Sequence, residues 1–269
     1  MSSAEPTYGI LGVGAIATAI VRGLCDGVAT PPQVVLSPRN AERAATLAAS
    51  MPTVRIAADN QAVLDESDVV IVCLLPAHVP EVLAEIHFRA DHVVVSAVAG
   101  LPLNHLARLV APASDVSRSI PMPALAARAT MTPVHPSTPA VTALFDRLGG
   151  TLVVPDERSF ESFSAASATV AAHFRYLGTI ADWLAGPDVP SAEARRYVAE
   201  TFAALSDELG SPQPDFRALA RAHTTPNGLN EQFARHLDEA AVFDAVRAGL
   251  DALLNRIAPA ADSTDVHRS

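Results

Sequence analysis

An α/β domain with a doubly wound, mostly parallel sheet, followed by an all-helical domain, is the fold this sequence predicts. Three observations carry the prediction. The pattern Gly12-Val13-Gly14-Ala15-Ile16-Ala17 follows a short apolar run near the start of the sequence. From residue 8 to residue 155, short apolar runs alternate with helix-like stretches. After Pro155 the strand signals stop and only helical periodicity continues. Together they predict a Rossmann-type domain over 1–157, a helical domain over 158–258 and a small polar tail, 259–269, expected to be disordered.

The run 8–13 reads as a buried strand and 15–24 as the helix behind it. Gly12 permits the tight turn between them. Gly14 lets the backbone approach a pyrophosphate, and the small Ala17 lets helix and strand pack closely. The helix start at Ala15 and Ile16 then faces negative charge. Strand before and helix after make this the phosphate-binding turn of a dinucleotide site. Further strands are predicted at 34–37, 54–57, 69–74, 92–97, 116–120, 131–135 and 152–154, with helices such as 41–50 and 79–86 between them. In the second half, helices are predicted at 160–184, 192–209, 216–222 and 240–257, punctuated by the Gly/Pro segments 186–190 and 210–214. That half is apolar for its size, which predicts an intersubunit surface.

Composition narrows the function classes. The chain has 269 residues, 49% of them hydrophobic, and a net charge of -10, which argues against nucleic acid or an anionic membrane as partner. No apolar run is long enough to span a bilayer, and residues 1–6 lack the basic and apolar regions of a secretory signal, so a cytoplasmic protein is expected. Cys25 and Cys73 are the only cysteines. Both lie in apolar periodic segments and read as core residues. There is no lysine, and all 19 basic residues are arginines. Lysine Schiff-base chemistry and a Walker-type phosphate loop are thereby excluded. Histidines such as His78, His105 and His236 are scattered without metal-ligand spacing, so no metal is expected.

The second strand ends Leu36-Ser37-Pro38-Arg39-Asn40, without the carboxylate that usually binds the ribose hydroxyls of NAD. A hydroxyl at Ser37 and a guanidinium at Arg39 suit a 2′-phosphate instead, so NADPH is the expected cofactor. The alternative is that Arg39 merely opens a solvated helix face.

Taken together, these segments resemble the pyrroline-5-carboxylate reductase family. The glycine turn with Ser37 and Arg39 looks like its cofactor site. Val94-Val95-Ser96-Ala97-Val98-Ala99-Gly100 resembles its V-I-S-x-A-A-G strand, and Arg118-Ser119-Ile120-Pro121-Met122-Pro123-Ala124 its R-x-M-P-N-T-P-A loop. Residues 166–173 fall where the family has S-G-S-G-P-A-Y, and Thr224-Thr225-Pro226-Asn227-Gly228-Leu229-Asn230 where it has T-S-P-G-G-T-T. The resemblance covers residues 8–257. It implies a reductase that moves hydride from NAD(P)H to a cyclic imine, with Leu75, Pro76, Ala97, Ala99 and Gly100 completing the cofactor site. It also implies an interlocked homodimer, each active site lying between one subunit's cofactor and the other's helices.

The departures from the family point to a changed substrate site. Met122 replaces a polar pair in a loop one residue shorter. His173 stands for the tyrosine, Asn230 for the threonine that meets the imine nitrogen, and Leu74-Leu75-Pro76-Ala77 for V-K-P-Q. Hydride transfer to an imine needs placement above all. If an acid is used, His173 is the candidate, with Thr169 one helical turn before it. The alternative for His173 is a hydrogen-bonded structural histidine. Thr225-Pro226 reads as an N-cap followed by a helix-start proline, whose free amides suit a substrate carboxylate. Asn227, Gly228, Asn230 and Gln232 lie beside it, and Glu231 reads as a capping acid. A dehydrogenase of a hydroxy acid or carbonyl compound, or a non-catalytic NADP-binding protein, remain the other readings.

Overall fold

The computed structural model describes residues 5–210 and 215–257; the tail expected to be disordered lies outside the described residues. Two compact units divide it, one holding residues 5–164 and one 165–256.

The first unit begins with β1 (Tyr8–Leu11), α1 (Ala15–Cys25), β2 (Val34–Leu36), α2 (Ala41–Ser50), β3 (Val54–Ile56), α3 (Asn60–Asp65) and β4 (Val69–Val72). It continues with α4 (Val79–Ala84), β5 (Val93–Ser96), α5 (Leu103–Leu109), β6 (Asp115–Ser119), β7 (Thr132–His135), α6 (Pro139–Asp146), β8 (Thr151–Val153) and the start of α7 (Glu157–Ser167). The strands form one sheet in the order β3-β2-β1-β4-β5-β6-β7-β8. The first six are parallel; β7 runs antiparallel to β6, and β8 parallel to β7. The order reverses between β1 and β4, where a doubly wound sheet opens its ligand crevice at the carboxyl ends of the strands.

Strands β1, β2, β4 and β5 are buried on both sides because both sides are covered. Ile10, Leu36, Ile71 and Val95 face a core shared with Ala17, Ile20, Leu24, Leu47 and Phe145. Leu11, Val35, Val70 and Val94 face the opposite core with Val63, Leu64, Leu83 and Leu106. Ala17 is fully buried, consistent with close packing of α1 on β1.

The second unit is helical: α8 (Val170–Leu184), α9 (Ser191–Ala203), α10 (Ser206–Leu209), α11 (Phe216–Ala222), α12 (Leu229–Glu239) and α13 (Val242–Ile257). Three expectations need correction. The predicted helix 160–184 breaks at Ala168-Thr169, where the Thr169 hydroxyl donates to the Ala166 carbonyl at 2.8 Å. The predicted helix 192–209 breaks between Ala203 and Ser206. The helix start placed at Thr225-Pro226 lies three residues later. Residues 225–228 form a turn closed by Gly228 N–H on the Thr225 carbonyl at 2.8 Å, Asn227 takes φ +58°, and Gly228 caps α12. A left-handed residue cannot continue a helix, so the proline starts the turn instead.

Candidate cofactor and substrate site

The crevice of the first unit gathers the expected phosphate-binding residues. A cleft of about 420 Å³ is lined by Gly12, Val13, Gly14, Arg39, Asn40, Ala41, Cys73, Leu74, Leu75 and His78. Gly12 adopts φ +89°, and a Cβ there would come within 2.8 Å of the Cys73 carbonyl. The fold itself demands that glycine. Gly14 differs: a Cβ there would meet no protein atom within 4 Å. It lines the cleft and caps α1 without a side-chain hydrogen bond, and the first turn of α1 holds no acid. The free amides of Ala15, Ile16 and Ala17 therefore stand at an unblocked helix start, as anion binding requires.

The end of β2 is tied to this turn twice. The Ser37 hydroxyl oxygen, 1% exposed, accepts the Gly12 N–H at 2.9 Å. Asn40 Nδ2 donates to the Val13 carbonyl at 3.0 Å, and its Oδ1 faces the Arg43 N–H to cap α2. Sequence reasoning missed both ties; only the Asn before a helix was a visible signal for the second. Arg39 is exposed and forms no ion pair or hydrogen bond among the described residues. It lines this cleft and a neighbouring one with Asp59, Asn60, Glu81 and Glu85. Leu75 is 67% exposed, and Pro76 opens a 3₁₀ turn that brings His78 into the same cleft. The sequence marked His78 only as a histidine without metal-ligand spacing. Burial pushes the Cys73 thiol up to about 12, so it stays neutral at ordinary pH.

Ala97, Ala99 and Gly100 form the loop that leaves β5, with Gly100 at φ +70°. Met122, half-buried, caps the 3₁₀ turn Pro123–Ala127. That turn is pinned to α1: Arg128 donates from Nε to the Gly23 carbonyl at 2.9 Å and from Nη2 to the Asp26 carbonyl at 2.6 Å.

In the second unit the structure places the remaining residues at two corners. Thr169 and His173 begin α8, where the His173 N–H donates to the Thr169 carbonyl at 2.9 Å. The His173 imidazole is exposed, tilts 6.0 Å from the Phe174 ring and has no hydrogen-bond partner among the described residues. Thr225, Asn227, Gly228, Asn230 and Gln232 form the α11–α12 corner. Glu231 accepts the Asn227 N–H at 2.7 Å, acting as the capping acid the sequence suggested. Asn230 Nδ2 donates to the His223 carbonyl at 2.7 Å. Gln232 is exposed.

Residues 7–100 match the family described as NADP oxidoreductase coenzyme F420-dependent. Pyrroline-5-carboxylate reductase of Corynebacterium melassecola is 27% identical over 267 residues, covering 93% of this chain and 97% of that one. Among solved structures, 1-pyrroline-5-carboxylate reductase of Streptococcus pyogenes superposes with a TM-score of 0.77 at 24% identity, covering 94% of this chain and 98% of that one. The Plasmodium falciparum pyrroline carboxylate reductase with NADP bound gives 0.76 at 14% identity, covering 94% and 97%.

Proposed function

We propose that this chain is a divergent member of the pyrroline-5-carboxylate reductase family and an NADPH-dependent reductase of a small, cyclic C=N compound. One observation supports the reading above others. The crevice at the strand-order reversal joins an open-sided Gly14 and an unblocked helix start to the unpaired Arg39, with no carboxylate at the end of β2.

The residues present fit a phosphorylated dinucleotide. Gly14 with the α1 amides holds the pyrophosphate, and Arg39 pairs with the 2′-phosphate by a charge-assisted fork. Ser37 works mainly through the turn it holds. Leu75, Pro76, Ala97, Ala99 and Gly100 flank the rest. Bound NADPH supplies a hydride to the electrophilic carbon. The protein's part is placement: Met122 keeps the nicotinamide side apolar, and Thr169, Thr225, Asn227, Gly228 and Gln232 orient the substrate. His173 is the imidazole that can hold a proton for the substrate nitrogen, and Asn230 supplies an amide contact. The altered residues Met122, His173 and Asn230 support a substrate other than pyrroline-5-carboxylate.

The active assembly is a homodimer. The helices of the second unit bury little: Ala181, Ala194 and Val198 are buried between α8 and α9, but Trp183 is 84% exposed, Tyr197 65% and Phe174 66%, and α11, α12 and α13 bury no residue among the described residues. Tyr176, Ile180, Trp183, Tyr197, Phe202 and Phe233 line an apolar groove that a second copy would fill.

NADPH oxidation followed against cyclic imines, keto acids, and keto acid with amine tests the function. Turnover of a cyclic imine, with pyrroline-5-carboxylate slower, is expected. Turnover confined to keto acids, or none, overturns the reading.

A further inference from the structure

Arg118, 2% exposed, carries its charge inside the first unit. Its Nη1 donates to Glu157 Oε1 at 2.8 Å and to Glu161 Oε1 at 2.6 Å, and its guanidinium lies 4.5 Å over the Phe160 ring. Glu161 is 1% exposed, whereas the Glu157 side chain, at 30%, reaches the rim. Two carboxylates around one guanidinium leave formal negative charge in excess. Arg118 Nε and Glu161 Oε2 are buried with no hydrogen-bond partner. Such a cluster is a poor source of stability, because desolvation offsets the attraction. Its value must lie in what it holds.

Glu157 holds more than Arg118. The same Oε1 accepts the N–H of Leu103, the first residue of α5, at 2.8 Å. Leu103 closes the loop 97–102 that leaves β5. Arg118 pairs in register with Ser96, the last residue of β5, and the Ser119 hydroxyl donates to the Ser96 carbonyl at 3.0 Å. From β6 the chain runs on to Met122. One carboxylate oxygen thus fixes the far end of one loop to the strand from which the other departs.

We propose that Glu157 is a positioning residue. Through Leu103 and Arg118 it sets loops 97–102 and 120–123 as the shelf for the nicotinamide half of the cofactor. The proposal rests on the NADPH-reductase reading and assigns Glu157 no contact with reacting atoms. Its test separates the cofactor's halves. NADPH and adenosine 2′,5′-bisphosphate, which lacks the nicotinamide half, are titrated by calorimetry into the native protein, Glu157→Ala and Glu157→Gln. Arg118 keeps Glu161 in both variants, so the buried cation retains a partner.

The native protein should bind NADPH more tightly than the bisphosphate. Glu157→Ala should weaken NADPH about tenfold, the scale of one lost charged hydrogen bond, and move the bisphosphate by less than about twofold. Glu157→Gln, which keeps an oxygen for the Leu103 N–H, should recover most of the NADPH affinity. Equal loss of both ligands in Glu157→Ala, unchanged NADPH affinity, or no recovery with glutamine overturns the positioning role while leaving the function intact. Native protein that binds neither ligand overturns the NADPH reading, and the proposal falls with it.

Discussion

The buried hydroxyl oxygen of Ser37 accepts the backbone N–H of Gly12 at 2.9 Å, so the end of β2 holds the glycine turn of β1 in shape. Arg39, two residues on, makes no such internal contact. The two residues therefore separate into distinct roles. Ser37→Ala should weaken NADPH and NADH by the same factor, about five- to tenfold, because it loosens a turn common to both. Arg39→Asp should weaken NADPH alone by about tenfold or more and bring the two cofactors level or beyond. Dissociation constants for both cofactors decide it. A Ser37→Ala effect confined to NADPH would place that hydroxyl on the 2′-phosphate itself.

That separation shows what the sequence could carry. Gly12 and Gly14 were legible because the turn needs glycine at fixed spacing after a strand. The central strands β1, β2, β4 and β5 were legible because apolar runs buried on both faces look alike in any such sheet. The bond from Ser37 to Gly12 spans 25 residues and has no local pattern. Nor has the link from Glu157 to Leu103, which spans 54. The helix breaks at Thr169 and Ala204 were hidden because alanine-rich sequence favours helix on both sides of each break. The start of α12 was misplaced because Thr-Pro is as good a turn opening as a helix start. The left-handed residue that decides between them is Asn227, whose amide tolerates that conformation.

His92 offers a test of stability against pH. It is fully buried: Nδ1 accepts the Arg89 N–H at 3.0 Å and Nε2 meets the Leu64 carbonyl at 3.0 Å. Burial lowers its pKa from the ordinary 6.5; the Leu64 bond opposes that shift and Arg89 adds to it. Below pH 6.5 the unfolded chain takes a proton that the folded chain refuses. The contribution is therefore fully present above that value and is lost as pH falls toward the lowered folded pKa. His92→Asn should cost about 1–3 kcal/mol at neutral pH through the lost Leu64 bond, and its stability should fall less steeply in acid. Urea unfolding of both proteins across this range measures the slopes. Parallel slopes would remove His92 as the cause.

The apolar groove of the second unit predicts a dimer that one charge can break. Trp183 is the most exposed aromatic side chain along it. Trp183→Glu should raise the dimer dissociation constant by about thirtyfold or more, the scale of a buried aromatic anchor at an interface. Light scattering across micromolar concentrations reads the result. A variant that dimerises like the native protein would show that the second copy sits elsewhere.

The proposed substrate residues make the sharpest prediction about chemistry. His173 stands free at the start of α8, whereas Asn230 is already committed through Nδ2 to the His223 carbonyl. Loss of His173 should therefore cost chemistry alone. His173→Phe should lower kcat about a hundredfold on the best imine, the low end for a lost general acid, with NADPH affinity unchanged. Loss of Asn230 should cost placement and some structure. Asn230→Ala should lower kcat/KM about tenfold and also destabilise the α11–α12 corner by about 1 kcal/mol, because the His223 carbonyl loses its donor. Neither residue is among those lining the Gly12–Arg39 cleft, so both variants should bind NADPH like the native protein. If His173→Phe turns over at the native rate, the substrate arrives already protonated and the imidazole has no part in the reaction. If both variants turn over normally, the substrate contacts lie on other residues of the helical unit.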